Sequence, residues 1–195
     1  MEAAVLLYPG CIFFEVALAM ETLAPHLHLR IVTPEGKPHR ASNGAVMAAD
    51  GDLAMLEADV VQAVLIPGGD PWSLLRPTLA PGPALRRQAE AGAIVAGICA
   101  GNLVMAASGL LRGRRGTHNY TPEYAPPENV AATAAFWSGM QFERANVVED
   151  GNLITAQPWA YRQYAAALGR RLGVLTEAEA SGLENYVAKR SYRGP

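Results

Sequence analysis

Cys99 is the side chain whose sequence context points most directly to chemistry. It follows the apolar run Ile94–Ile98 and precedes a run of helical composition, with Gly97 two residues before it and Gly101 two residues after it. Glycines at these positions are typical of a nucleophile elbow, a sharp strand-to-helix turn with little room for side chains. Backbone N–H groups at the start of the helix favour a thiolate there. The pattern predicts a reactive Cys99; the alternative is an inert buried thiol, which is common for free cysteines.

Backbone groups near this elbow are candidates for stabilising a developing negative charge. The N–H of Ala100 points toward an oxyanion formed beside the sulfur of Cys99. The predicted strand over residues 63–66 ends at a Pro-Gly-Gly turn that includes Gly69, where a ligand can approach the backbone closely. Sites in open α/β sheets form at the carboxyl ends of strands, so we expect Gly69 near Cys99 as a second donor. As a turn alone, Pro-Gly-Gly is common and carries little functional information.

Glu15 is the candidate acid of the same region. It lies one turn into the predicted helix Ile12–Leu23, between the apolar residues Phe14 and Val16. A carboxylate in apolar surroundings is costly unless it is paired or protonated. The sequence therefore permits two interpretations: a buried functional carboxyl group, or a glutamate on the solvent face of the helix.

The other cysteine and the histidines have weaker contexts. Cys11 follows a Pro-Gly turn and has no elbow around it, so we interpret it as a bystander. His118 is the one histidine that follows Cys99, and it is a candidate base or hydrogen-bond donor; the alternative is a strand-end histidine that points to solvent. We interpret the remaining histidines as surface residues, namely His26, His28 and His39. No histidine stands at zinc-ligand spacing from either cysteine, so no metal site is predicted.

The three tryptophans are candidate pocket residues. They are Trp72, Trp137 and Trp159. Aromatic side chains in a small α/β domain more often form core or dimer contacts, so a structural role is the alternative for each.

Composition limits the function classes that the chain can serve. Of its 195 residues, 50% are hydrophobic and 17% charged, and the formal net charge is −2. The apolar content excludes a disordered chain, and the charge provides no basic field for nucleic acid or anionic lipid. No apolar run reaches the roughly 18–20 residues that span a bilayer, and Glu2 stands where a secretory signal carries basic residues. We expect one domain over residues 1–195, located in the cytoplasm with reduced thiols.

Apolar patterning along the chain predicts strands that alternate with helices. The strand-like runs are continuously apolar, which is typical of a parallel sheet covered on both faces. The predicted strands are 1–8, 28–33, 63–66 and 94–98, with hairpins over 37–49 and 147–154. The predicted helices are 12–23, 83–90, 100–108, 158–172 and 177–189, the last with a capping box from Thr176 to Glu179. Residues 119–144 are expected to be mostly loop with some helix. The fold class is therefore α/β.

Several short motifs together resemble the ThiJ/PfpI superfamily, which contains a parkinsonism-associated redox sensor and deglycase, intracellular proteases, glyoxalases and isocyanide hydratases. The motifs that carry the resemblance are Tyr8-Pro9-Gly10 followed by Glu15, Ile66-Pro67-Gly68-Gly69, and Gly97-Ile98-Cys99-Ala100-Gly101. It extends to Gly109–Gly113 and Asp150–Ala156. Gly68-Gly69-Asp70 with Trp72, and Thr117 with Asn119, most resemble a bacterial branch described as class I (type 1) glutamine amidotransferase-like.

The resemblance implies a flavodoxin-like three-layer sandwich, a homodimer and a role in stress response, with no cofactor. It implies that Cys99 is the nucleophile and that Glu15 is a largely protonated carboxyl group bonded to the thiolate. Gly69 and Ala100 would supply the oxyanion donors. The implied pocket residues are Asp70, Trp72 and Asn119.

The chain also departs from parts of the superfamily pattern. Protease members place a histidine directly after the nucleophile, where this chain has Ala100, and amidotransferases of this fold need a histidine beyond His118. Neither activity is therefore expected. We expect a cysteine-dependent hydrolase or lyase that acts on a small electrophilic carbonyl-type substrate, in the manner of a glyoxalase, deglycase or hydratase. The alternative is an oxidative-stress sensor that works through oxidation of Cys99. A ligand-binding module without catalysis ranks last.

Overall fold

A central sheet of six strands organises the protein. The computed structural model describes residues 1–76 and 78–186. The strands of the central sheet are β1 (Glu2–Leu6), β2 (His28–Val32), β5 (Ala63–Ile66), β6 (Ile94–Ile98), β9 (Val147–Asp150) and β10 (Leu153–Ala156). Their order is β2-β1-β5-β6-β10-β9. All neighbours pair in parallel except β9 and β10, which form an antiparallel edge. The prediction of a mainly parallel sheet is confirmed.

Four short strands lie outside this sheet. They are β3 (His39–Arg40), β4 (Val46–Met47), β7 (Arg115–Gly116) and β8 (Gln141–Phe142). Strands β3 and β4 form the predicted hairpin, whereas β7 and β8 pair in parallel. The helices are α1 (Phe14–Leu23), α2 (Leu53–Ala58), α3 (Gly82–Glu90), α4 (Gly101–Ala107), α5 (Pro127–Thr133), α6 (Tyr161–Arg171) and α7 (Glu177–Glu184).

Helices pack in two groups against the sheet, which gives the α/β three-layer sandwich. Helix α6 contacts α1, α7 and the strands β6 and β10, whereas α3 contacts α2, α4 and β6. Strands β5 and β6 are buried along their whole length, because both of their faces are covered. The hydroxyl of Tyr164 on α6 donates a 2.9 Å hydrogen bond to the carbonyl of Ala96 and fixes this helix to the centre of the sheet.

The predicted elements are largely confirmed, with several corrections at their ends. The first strand is shorter than predicted, and α1 begins at Phe14 because residues 9–13 form the turn beside the site. The capping box from Thr176 to Glu179 is confirmed. Helix α2 and the elements within residues 115–142 were not predicted as such, since they are too short to show a clear apolar period. The predicted end of the last helix, residues 187–189, lies outside the described residues.

The strand order explains how distant residues come together. Strands β1, β5 and β6 are consecutive neighbours in the sheet and run in the same direction. The segments that follow them carry Glu15, Gly69 and Cys99 respectively. These three residues therefore meet at one edge of the sheet, where ligand sites of open α/β folds form. In the described residues no helix is long and apolar enough to cross a membrane.

Candidate active site

Cys99 stands at a strained turn between β6 and α4. Its φ angle is 57°, and it is the one non-glycine residue with a positive φ among those that the structure describes. Such a conformation costs about 1–3 kcal/mol and persists only where its surroundings enforce it. The enforcing contact is the carbonyl of Ala156, which accepts from the N–H of Cys99 at 3.0 Å and from the side chain of Asn102 at 2.8 Å. The predicted nucleophile elbow is thus present.

Glycine at position 101 allows this elbow to lie directly against β5. A Cβ atom there would lie 2.1 Å from the carbonyl oxygen of Ile66. Any larger residue would therefore push α4 away from the sheet and move Cys99. The G-x-C-x-G spacing is a packing requirement of this turn.

Glu15 is buried beside the sulfur rather than exposed on α1. It is 2% exposed, and its Oε2 accepts a 2.7 Å hydrogen bond from the N–H of Gly68. The Cys99 thiol lies close enough to this carboxyl group to lower its pKa. A Cβ atom at position 68 would lie 2.7 Å from both the Cys99 sulfur and Glu15 Oε2. Gly68 therefore permits the carboxyl group and the sulfur to approach each other, and the interpretation of Glu15 as a solvent-facing residue is wrong.

Burial raises the pKa values of both Glu15 and Cys99. It raises the pKa of Glu15 to about 7, and the N–H of Gly68 and the Cys99 thiol oppose this rise. Burial, together with the charge of Glu15, raises the pKa of Cys99 to about 12. Because the charge of one group opposes ionisation of the other, the pair gives up a single proton near neutral pH. The prediction that the elbow favours the thiolate therefore needs correction: burial outweighs the backbone N–H groups, which act in the predicted direction.

Two backbone N–H groups face the sulfur, as predicted for an oxyanion site. They belong to Gly69 and Ala100, and both lower the pKa of Cys99. Gly69 has a φ of 118°, and a Cβ atom there would lie 2.3 Å from the carbonyl oxygen of Gly10. Only glycine fits this position, because both the backbone conformation and the space exclude a side chain.

His118 lies in an aromatic cluster and not at the sulfur. Its ring is 6% exposed and stacks on Trp137 with 3.9 Å between ring centroids. Its Nδ1 accepts from the N–H of Tyr120 at 3.1 Å, and burial lowers its pKa to about 4. None of its hydrogen bonds within the described part of the chain reaches Cys99 or Glu15. The interpretation of His118 as a solvent-facing residue is also wrong.

A cavity of about 510 Å³ opens beside Gly69. Two of the predicted pocket residues, Asp70 and Trp72, line it, but Asn119 does not. Lining residues that sequence reasoning missed are Gly10, Ile12, Ser42, Pro71, Tyr120 and Asn129. Burial raises the pKa of Tyr120 to about 12, and the charges of Cys99 and Asp70 add to this rise. The sequence feature that could have indicated Tyr120 as a lining residue is its position two residues after His118.

The remaining candidates lie elsewhere. Cys11 is 1% exposed, forms no disulfide, and has a pKa that burial raises. Trp159 lines a separate cavity of about 180 Å³. His26 and His28 are exposed as predicted, whereas His39 is half-buried. Over residues 1–76 and 78–186, no group of three or more histidine, cysteine, aspartate or glutamate side chains is arranged to hold a metal ion.

The sheet order, the elbow and the buried carboxyl group define a flavodoxin-like α/β protein with a cysteine at the turn between β6 and α4. The chain belongs to the DJ-1/PfpI family, which matches its residues 1–168. A DJ-1 superfamily protein from Agrobacterium tumefaciens is 24% identical, with a TM-score of 0.77 over 94% of this chain and 96% of that one. A thiJ/pfpI family protein from Bacillus anthracis is 20% identical, with a TM-score of 0.79 over 94% and 88% of the two chains.

One relative of closer sequence comes from Streptomyces lividans, where it is described as an uncharacterised protein in the cpoL 5' region. It is 38% identical over 94 residues, which are 47% of this chain and 64% of that protein. The match thus spans less than two thirds of that relative's length. The family resemblance inferred from the sequence motifs is confirmed by the family match.

Proposed function

We propose that this protein is a cysteine-dependent enzyme that acts on small electrophilic carbonyl-type substrates, with Cys99 as the nucleophile. The observation that supports the proposal is that an acidic side chain and two backbone N–H groups surround the sulfur of Cys99. A strained Cys99, the buried carboxyl group of Glu15 and the N–H groups of Gly69 and Ala100 all meet there. This set combines a nucleophile, a proton carrier and an oxyanion site, which are the components of addition to a carbonyl carbon.

In the first step, the sulfur of Cys99 adds to the aldehyde carbon of a 2-oxoaldehyde. Ionised Glu15 takes the thiol proton as the S–C bond forms, and the π electron pair of the carbonyl moves to oxygen. The N–H groups of Gly69 and Ala100 stabilise this alkoxide. Glu15 then returns the proton to the alkoxide, which gives a hemithioacetal.

In the second stage, the hemithioacetal is converted to product without an external oxidant. Glu15 removes the proton from the former aldehyde carbon and returns it to the neighbouring carbon. The hydroxyl proton of the hemithioacetal moves to the ketone oxygen, so that the ketone becomes a hydroxyl group and the former aldehyde carbon becomes a carbonyl. The result is a thioester of Cys99, which one water molecule cleaves. The products are a 2-hydroxy acid and the free thiol, so the net reaction is the addition of water. A pKa of about 7 suits Glu15 to both proton transfers.

The same site also supports hydration of an isocyanide. The sulfur would add to the terminal carbon, which also takes a proton to give a thioimidate. Water would then add to that carbon, nitrogen would take a proton, and the thiol would leave to give a formamide. Glu15 rather than His118 is the proton carrier in either reaction, because Glu15 contacts the thiol whereas His118 is neutral at pH 7 and bonded to Tyr120.

A second candidate function is sensing of oxidative stress through Cys99. The observation in its favour is that a protonated Glu15 would donate a hydrogen bond to an oxygen added to the sulfur it contacts. Cys99 is also the more accessible thiol, being 9% exposed against 1% for Cys11. Oxidation would follow the path from sulfenic to sulfinic acid.

The test measures turnover of methylglyoxal, glyoxal and an alkyl isocyanide by wild-type protein, Cys99→Ser and Cys11→Ser. Turnover that Cys11→Ser retains and Cys99→Ser loses supports the enzyme. Wild-type activity no greater than that of free cysteine contradicts it. Intact-mass measurement after mild peroxide treatment tests the sensor: addition of two oxygen atoms at Cys99, lost in Glu15→Leu, supports it, and prior oxidation of Cys11 contradicts it.

We also propose that the chain forms one domain over residues 1–195 and acts as a cytoplasmic homodimer in the stress response. Support for these points comes from the family resemblance. Light scattering coupled to size-exclusion chromatography tests the dimer, and a mass of 20.7 kDa in solution would contradict it.

A further inference from the structure

The cavity of about 510 Å³ is lined by Gly69, whose backbone N–H faces the Cys99 sulfur, and its lining carries negative charge. Within residues 1–76 and 78–186, Asp70 is the charged residue among those that line it, and no lysine, arginine or histidine of these ranges lines it. We propose that this cavity makes the site selective for neutral or cationic substrates that carry hydrogen-bond donors, and that it rejects substrates with a carboxylate or phosphate next to the reacting carbon. The inference rests on the proposed function and names its substrate class: 2-oxoaldehydes that carry a hydroxyl or amino group, rather than oxo acids.

The local structure holds the carboxylate of Asp70 at the cavity wall. Its backbone N–H donates to the carbonyl of Gly10 at 3.3 Å, and its Oδ1 accepts from the N–H of Trp72 at 3.3 Å. Its side chain is exposed, and no salt bridge engages it among residues 1–76 and 78–186. The negative charge of Asp70 is therefore not neutralised by a partner in the described structure.

Basic groups that could offset this charge are engaged elsewhere. Arg40 is a basic residue whose backbone contacts the cavity wall, since its carbonyl accepts from the N–H of Gly10. Its guanidinium group donates to the carbonyl of Gly44 across the β3–β4 hairpin. An anionic substrate would thus meet the Asp70 carboxylate with no cation among the lining residues that the structure describes.

The other lining groups suit a polar, uncharged or cationic ligand. Ser42, Asn129 and Tyr120 offer hydroxyl, amide and phenol groups. Trp72 presents an indole ring that is 43% exposed, and a cation over such a ring is attracted to its face. Asp70 and Trp72 together therefore form a subsite for a hydroxyl or ammonium group, while Gly69 marks the side of the cavity where the reacting carbon lies.

Three methanethiosulfonate reagents test this without requiring turnover. They carry an ammonium, a neutral or a sulfonate group, and each leaves a disulfide on Cys99 as methanesulfinate departs. Labelling rates are measured by intact mass in a Cys11→Ala background and divided by the rates with free 2-mercaptoethanol. We expect the cationic reagent to react about tenfold faster than the anionic one after this correction. Asp70→Asn should remove most of the difference.

Asp59→Asn is the matched control. Asp59 is an exposed carboxylate that precedes β5, at the opposite end of that strand from the cavity, so its removal should leave the ratio unchanged. Equal or faster labelling by the anionic reagent would overturn the proposal, as would a ratio that Asp70→Asn does not change. Failure of every reagent to label Cys99 would also overturn it, because the cavity would then not lead to the sulfur.

Turnover distinguishes this inference from the proposed function. If wild-type protein consumes methylglyoxal but prefers glyoxylate, the charge selection is wrong and the enzyme proposal stands. If no carbonyl substrate is consumed while the labelling order holds, the proposed enzyme fails and the charge selection of the cavity stands.

Discussion

Replacing Glu15 with glutamine should change how the reactivity of Cys99 depends on pH. In the wild-type protein the pKa of Glu15 is about 7, and its charge contributes to raising the pKa of Cys99 to about 12. Below about pH 7 Glu15 is neutral, so thiolate forms in greater amount as pH rises. Above that pH the pair has lost one proton, which comes either from Cys99 or from Glu15. The ratio of these two states does not depend on pH. The thiolate fraction then stops increasing.

The width of this flat region follows from the distance between the two groups. The sulfur of Cys99 and the Oε2 atom of Glu15 each lie 2.7 Å from the position that a Cβ atom on Gly68 would occupy. At the largest separation that these two distances allow, roughly 5 Å, and an effective dielectric constant of about 20, two unit charges repel by about 3 kcal/mol, and a shorter distance strengthens the repulsion. At 1.36 kcal/mol for each factor of ten, this corresponds to about two pH units. The rate should therefore be flat from about pH 7 to about pH 9 and then rise again.

The assay is alkylation of Cys99 by iodoacetamide in a Cys11→Ala background, followed by intact mass. In Glu15→Gln, the logarithm of the rate should increase by one for each pH unit through this whole range. The two proteins should react at similar rates at about pH 6 and differ by about 100-fold at about pH 9. Parallel profiles for the two proteins, or a wild-type rate that rises steadily through pH 7, would refute the coupling between Glu15 and Cys99.

Three further predictions concern stability and packing. The pKa of Glu15 is higher in the folded protein than its ordinary value of 4.5, so the wild type should lose about 3 kcal/mol of unfolding free energy relative to Glu15→Gln as pH rises from about 4.5 to 7. Urea denaturation at both ends of that range checks this, and equal changes in the two proteins would contradict it. Gly68→Ala should lower the alkylation rate of Cys99 at least about tenfold, because its Cβ would displace the sulfur or the carboxyl group. Gly182→Ala, which meets no atom within 4 Å, should leave that rate unchanged. Cys99→Gly should be more stable than Cys99→Ala by about 1 kcal/mol, since glycine adopts the positive φ without strain; the opposite order would show that the elbow is not strained.

Much of the site could be predicted because the local backbone conformation and the neighbouring residues in the chain restrict which residue types can stand there. The elbow requires glycine at position 101, where a side chain would strike the carbonyl of Ile66, and this requirement appears in the sequence as G-x-C-x-G. Glu15 was detectable because a carboxylate stood among apolar residues. Alternation of strands and helices predicts a parallel sheet, and parallel strands present their carboxyl ends at one edge. Glu15 and Cys99 both follow such strand ends, so their proximity was expected.

Other parts of the site depend on tertiary contacts that no local pattern records. The raised pKa of Cys99 results from burial and from Glu15, which is 84 positions away in the chain, and helix position alone predicted the opposite direction. Tyr120 reaches the cavity from residues 119–144, a stretch without clear periodicity. The solvent-facing interpretation of His118 failed for the same reason, because its burial depends on stacking with Trp137.

The most direct test of the account is to detect the covalent intermediate on Cys99. Wild-type protein is mixed with methylglyoxal, quenched at successive times, and analysed by intact mass and peptide mapping. We expect a transient adduct of one substrate molecule on the peptide that contains Cys99, and its decay should match the appearance of the 2-hydroxy acid. Product formation without any adduct at Cys99, or at an equal rate in Cys99→Ser, would contradict the assignment of Cys99 as the nucleophile.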